Sequence, residues 1–376
     1  MKKICRRVFF CFLSFTMILS FFGCAPASPK NTQTYGDLPL ETNPLASTDS
    51  TATQEPAPAL PENMNPLTGL ECREELVGQR PVSIVFNNLK DALPQSGLSG
   101  CDIIYEALAE GGVLRLEGIV LDYANVGKLG SVRSARPYLV EIALAYDAIF
   151  VHAGGSTEAY DLISRLKVND LDGVKNGPFY ANGVELFWRD QYRLEHGYAY
   201  EHTMFTSGAN AVLGIGAKSY RTNLSDSTFT AFRFDPAFSG ISSGKSATYL
   251  KIPHSNYSVS EFQYDADKNQ YLHRQYNQEH VDGENGAQVA TENVFVLFTQ
   301  QSLIPNGAGK RIITLTGEGT GYYLNGGEYT QIRWKRESET APFHYYNVDG
   351  SELAVQCGKS YVSIVDQSSS ASIVIS

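Results

Sequence analysis

The chain has 376 residues, a formal net charge of −10 and a pI near 5.3, and it carries no concentrated basic run beyond Arg7. That balance argues against nucleic acid as a partner. Six cysteines with no metal-type spacing argue against a zinc module.

Residues 1–23 read as an export signal: Lys2, Lys3, Arg6 and Arg7 precede an apolar run from Val8 to Phe22. The run ends Phe21-Phe22-Gly23-Cys24, similar to a bacterial lipobox with phenylalanine where leucine is usual, so Cys24 is the expected lipidated N-terminus. An uncleaved membrane anchor is the alternative, although the run falls short of the ~20 residues that span a bilayer. Either outcome places the protein on the extracytoplasmic face of the cell membrane. Residues 24–63 are rich in Pro, Thr, Ser and Ala and read as a disordered tether. Cys72, Cys101 and Cys357 remain after it, with a Cys72–Cys101 disulfide or three free thiols as the choices.

Between residues 64 and 225 strand and helix signals alternate. Pro81 to Phe86 is a β-branched run, and Ser99 with Asp102 predicts a capped helix running to Glu110, stopped by Gly111-Gly112. Val113 to Asp122 reads as a strand. Ser134 to Tyr146 carries Leu139, Ile142, Ala143 and Tyr146 at helical spacing. Ala148 to Val151 is a short buried strand, and Ser156 to Leu166 a second helix. From 226 to 366 the pattern becomes short β runs with hairpin pairs at Asn325-Gly326 and Asp349-Gly350. The expected fold is α+β overall, an α/β layer domain followed by a mostly antiparallel β domain, with a flexible tail over 367–376.

The motifs "NPLTGL" (Asn65 to Leu70), "YEALAEGG" (Tyr105 to Gly112), "VRSARPY" (Val132 to Tyr138), "HAGGS" (His152 to Ser156), "EHTMFTS" (Glu201 to Ser207) and "WKRESETAPFHYY" (Trp334 to Tyr346) occur in that order. They resemble the YerB-like bacterial lipoproteins across nearly the whole exported chain. The resemblance implies two domains behind a lipidated signal and a surface location, and it supplies no reaction. Two positions depart from that pattern: Asn87 stands where an acidic residue is expected, which weakens a metal reading, and Cys101 where a small residue is usual.

Arg133 and Arg136 flank the expected start of the helix at Ser134, where the helix dipole disfavours cations by roughly 0.3–1 kcal/mol each. Either a ligand anion sits between them or an internal carboxylate such as Glu106, Glu110 or Glu117 offsets them. His152 falls at a strand's carboxyl end, where open α/β sheets bind ligands, and Gly154-Gly155 then lead to a helix capped by Ser156. The bland reading of His152 is a hydrogen bond to a loop carbonyl. Glu106 and Glu110 would share one helix face, and His202 lies in an irregular aromatic segment. Trp334, Tyr345 and Tyr346 beside Lys335, Arg336 and His344 suit a sugar ring or a peptide, or else cover a core edge.

The leading functional expectation is an envelope protein binding an anionic or glycan-like ligand through Arg133, Arg136, His152, Gly154, Gly155, Ser156, Glu110 and His202. The alternatives are a scaffold meeting a protein partner, or an envelope hydrolase or transferase using Glu110, His152 or His202. No cofactor and no metal is expected.

Overall fold

The computed structural model describes residues 58–376 except 243 and 306. The expected signal, Cys24 and most of the tether lie outside the described residues.

Strand β1 (Val82–Asn87) pairs antiparallel with β3 (Leu114–Val120), which pairs antiparallel with β2 (Ile103–Leu108). On its other side β1 runs parallel to β5 (Ile149–His152), and β5 to β6 (Asp170–Asp172). A short strand β4 (Lys128–Gly130) leads toward helix α1 (Pro137–Ala145), and α2 (Thr157–Leu166) connects β5 to β6. This β-α-β unit is the one the alternating pattern predicts.

The helix expected over Ser99 to Glu110 does not form. A 3₁₀ turn at Leu98–Gly100 and another at Glu110–Gly112 flank β2, all six of whose residues are buried. The capping signals are consumed elsewhere: Ser99 donates through N and Oγ to Asp282, and Asp102 accepts from the Leu121 amide. Ile103, Ile104 and Tyr105 suit a strand with neighbours on both edges, and that pairing overrides the local cap. Glu106 and Glu110 therefore share no helix face.

The two halves on either side of residue 225 share one sheet. Strand Ser360–Asp366, near the end of the chain, inserts beside β2 as its parallel partner and carries the sheet on through Asn293–Thr299, Gly317–Asn325 and Glu328–Arg336. Among the described residues this makes one eleven-stranded mixed sheet crossing residue 225. Both of its faces are shared. On one, Val85, Tyr105, Leu139 and Phe150 pack with Phe232, Phe295 and Trp334; on the other, Phe86, Leu116 and Val151 pack with Leu250, Phe262 and Val296. Residues Pro56–Ser376 are accordingly one compact unit. The fold is mixed α/β and mostly strand, with a second, six-stranded antiparallel sheet contributed by later residues. The expected tail is tied down in part, because Val374 and Ile375 pair with Lys251 and Leu250.

Cys72, Cys101 and Cys357 are free thiols, so the Cys72–Cys101 disulfide is not made. Cys101 is buried over Gly118, where a Cβ would come within 2.3 Å of its sulfur; the larger residue at 101 requires glycine opposite. Burial pushes its thiol well up from the usual range.

Candidate functional site

At the carboxyl ends of β5 and β6 the chain turns sharply through Gly154, whose φ is +77°. His152 is fully buried beneath this turn: Nδ1 lies 2.8 Å from the Gly154 carbonyl and Nε2 3.2 Å from Asp170. Asp172, also fully buried, accepts from the Gly154 and Val174 amides at 2.9 Å each and from the Tyr160 hydroxyl at 2.7 Å. Burial would raise its carboxyl, but His152 and these donors hold it below the usual carboxylate range. His152 and Asp172 thus clamp two loops and have no free atom to offer a ligand. Ser156 caps α2 through Ala159 N.

Helix α1 begins two residues later than expected. Its cap is Arg136, with Pro137 at the first helical position, and Ser134 lies outside it. Arg136 turns back to make a two-pronged pair with Glu110, Nε–Oε1 2.5 Å and Nη2–Oε2 2.8 Å. Arg115 Nη2 approaches the same carboxylate at 3.5 Å. Burial opposes ionisation of Glu110, yet the hydrogen bond from Arg136 and the charges of Arg115 and Arg136 lower its pKa overall. The internal-carboxylate reading describes Arg136, and the partner is Glu110; Glu106 and Glu117 are engaged elsewhere.

Arg133 behaves differently. It lines an open cleft of about 520 Å³ with Ser134, Gly154, Gly155, Lys175 and Arg189, among others. Its one side-chain hydrogen bond among the described residues is to Glu201 at 3.2 Å, a carboxylate more than half exposed. Lys175 Nζ sits 4.3 Å from the Tyr160 ring centre and the Arg189 guanidinium 3.8 Å from that of Tyr200. Both rings also line the cleft. Among the described residues the cleft therefore gathers three cations and one carboxylate, on a chain whose net charge is −10.

Of the residues singled out in the sequence, Arg133, Gly154 and Gly155 come together here, while Arg136, Glu110, His152, Ser156 and His202 do not line the cleft. His202 is buried, its Nδ1 2.7 Å from Asn87 Nδ2, and burial lowers its pKa. Asn87, the departure from an acidic residue, thus serves as a neutral partner for a buried histidine. Trp334 and Tyr345 belong to the core, and Arg336 is fully buried against Glu141 and the Glu339 and Ala341 carbonyls. The core-edge reading describes that motif.

Sequence reasoning missed Lys175, Arg189, Tyr160 and Tyr200, which arrive from a loop, a two-residue strand, helix α2 and a 3₁₀ turn without local pattern. It also missed a buried polar cluster: the Glu106 carboxylate meets His254 Nε2 at 2.9 Å, Ser363 at 2.6 Å, Ser260 at 2.7 Å and Tyr361 at 3.0 Å. Nearby His273 and His280 touch through their Nδ1 atoms at 2.8 Å. Burial lowers the pKa of both.

The sequence matches two family models, the N-terminal domain of a protein of unknown function (DUF3048) over residues 67–221 and the C-terminal domain of the same family over 249–362. It is 30% identical over 319 residues to a Bacillus subtilis (strain 168) protein named "Putative lipoprotein YerB", covering 82% of this chain and 88% of that one. The fold is similar to the crystal structure of YerB protein from Bacillus subtilis, with a TM-score of 0.71 and 28% identity, over 83% of this chain and 99% of the other. The chain belongs to the DUF3048 family. The first family model ends at residue 221 and the second begins at 249, and the eleven-stranded sheet draws strands from both ranges.

Proposed function

We propose that this member of the DUF3048 family is a lipid-anchored envelope protein that binds an anionic, glycan-like ligand in the cleft of Arg133, Lys175 and Arg189. The observation that carries the reading is the surplus of cations there, each held beside an aromatic ring or a weak partner and open to solvent. An oxyanion between Arg133 and Arg189 would gain charge-assisted hydrogen bonds, and Tyr160 and Tyr200 would offer faces to a sugar ring. An enzyme would need acid, base and nucleophile converging in one place, and Glu110, His152 and His202 are each occupied by structural partners.

Calorimetric titration of the detergent-solubilised full chain with soluble cell-wall fragments tests this. Arg133→Gln or Arg189→Gln should each weaken binding roughly tenfold or more, as expected for losing one hydrogen bond to a charged group. Arg136→Ala, outside the cleft, should lower thermal stability and leave affinity alone. Equal affinity in wild type and both cleft variants would remove the cleft from consideration.

Anchoring rests on Gly23-Cys24 and on the similarity to a protein named as a lipoprotein. Cys24→Ala should release the protein into the medium or leave it as unprocessed precursor on immunoblots of fractionated cells. Membrane retention of a processed form would exclude Cys24 as the anchor.

A further inference from the structure

We infer that Glu201 is an internal stand-in for the ligand's acidic group, a carboxylate that an incoming oxyanion must displace from Arg133. The inference rests on the cleft being the binding site. Arg133 is 20% exposed at its side chain, and its one charged partner among the described residues, Glu201, is 54% exposed and makes a single contact of 3.2 Å. Charge-assisted pairs in good geometry close to ~2.7–2.9 Å, often with two parallel bonds. Arg136–Glu110 in this molecule does so, and Arg165–Glu339 does so even at the surface, at 2.7 and 2.9 Å. Glu201 leaves most of the Arg133 fork unused.

The position of Glu201 is nevertheless defined. It sits in the 3₁₀ turn Tyr200–His202, and Arg189 holds that turn twice, by stacking on the Tyr200 ring and by donating from Nη1 to the Tyr200 carbonyl at 2.7 Å. His202, next in the chain, is buried on Asn87. Flanking residues are fixed while the Glu201 carboxylate stays in solvent over Arg133. A carboxylate or phosphate that binds Arg133 through two oxygens gains bonds that Glu201 does not make. It also gains Lys175 and Arg189, which Glu201 does not neutralise. The recognised chemistry is therefore an oxyanion that presents two oxygens to Arg133, a phosphate or a carboxylate, in the cleft that Lys175 and Arg189 also line.

Glycerol phosphate and a uronic acid serve as probes, separating a phosphate source from a sugar carboxylate, each titrated against the full chain in detergent. Removing the competing charge in Glu201→Gln should tighten the preferred probe about tenfold, and Glu201→Ala should do the same. The gain should vanish when Arg133→Gln is combined with either. Glu195→Gln, which removes an exposed carboxylate outside the cleft, should change nothing. Wild-type binding that is unaltered or weakened in both Glu201 variants, with melting temperatures unchanged, overturns the stand-in and leaves the cleft reading intact. A gain that persists without Arg133 assigns the effect to net charge and also overturns it. No binding of either probe by wild type or by Glu201→Gln overturns both readings together.

Discussion

Glu106→Gln should destabilise the protein by about 3–5 kcal/mol, the usual cost of breaking a buried ion pair from one side. For a unit of this size that is a fall in melting temperature on the order of 10 °C. Glu106 is fully buried on β2, and its partners His254, Ser260, Tyr361 and Ser363 all come from beyond residue 225. The amide keeps the shape and one acceptor oxygen, but it presents hydrogens to hydroxyls that now donate and removes the charge facing His254. Burial by itself would raise the carboxyl. His254, then His273 and the Ser260 hydroxyl outweigh it and bring the pKa down to about 2 from 4.5. A depressed carboxylate stabilises the fold fully above its unfolded pKa, and the stabilisation is lost as pH falls from about 4.5 toward 2. Thermal melts across pH 2 to 7 should show the wild type and Glu106→Gln converging in acid. A mutant whose deficit stays constant down to pH 2 would mean that Glu106 is not ionised in the fold.

The same residue shows where the sequence was legible. Strands β1, β3 and β5 and helices α1 and α2 follow from apolar periodicity, since their partners are near in sequence and their buried faces repeat at the spacing of one element. Strand β2 was misread because Ser99 and Asp102 make a good local cap, while the strand's parallel partner, Ser360–Asp366, lies about 250 residues downstream. No local pattern reports such a pairing. The sheet shared by the two halves was hidden for that reason: composition does change near residue 225, but the last long strand returns to the middle of the sheet. At the site, Arg133 and the Gly154-Gly155 turn were legible because a strand end, a glycine approach and a helix start occur in one stretch. Lys175, Arg189 and Glu201 were not, because each is one charged residue among many until the loops after β6 fold over the strand ends.

Glu117→Gln should act in the opposite direction to Glu106→Gln, stabilising the protein, and by an amount that grows with pH. Glu117 lies on β3 opposite Tyr105 and Val85, so it faces the other side of the sheet from Glu106, among the apolar residues packed beneath α1. It is fully buried; Ser83 donates to Oε1 at 2.5 Å, and Oε2 has no partner among the described residues. With burial dominant and only the Ser83 hydrogen bond opposing it, the carboxyl pKa is raised well above its usual value. The folded state therefore holds a proton that the unfolded chain releases above about 4.5. Stability falls with rising pH, by about 1.4 kcal/mol for each unit over which the folded carboxyl stays protonated. Glutamine keeps the acceptor for Ser83 and carries no charge in either state, so it abolishes that slope at the cost of a buried amide with few partners. Denaturant unfolding at pH 5 and pH 7 should show the difference between Glu117→Gln and wild type shifting in favour of the mutant as the pH rises. A difference independent of pH would place a charged carboxylate in this apolar layer and require a cation close to Oε2, where the structure has none among the described residues.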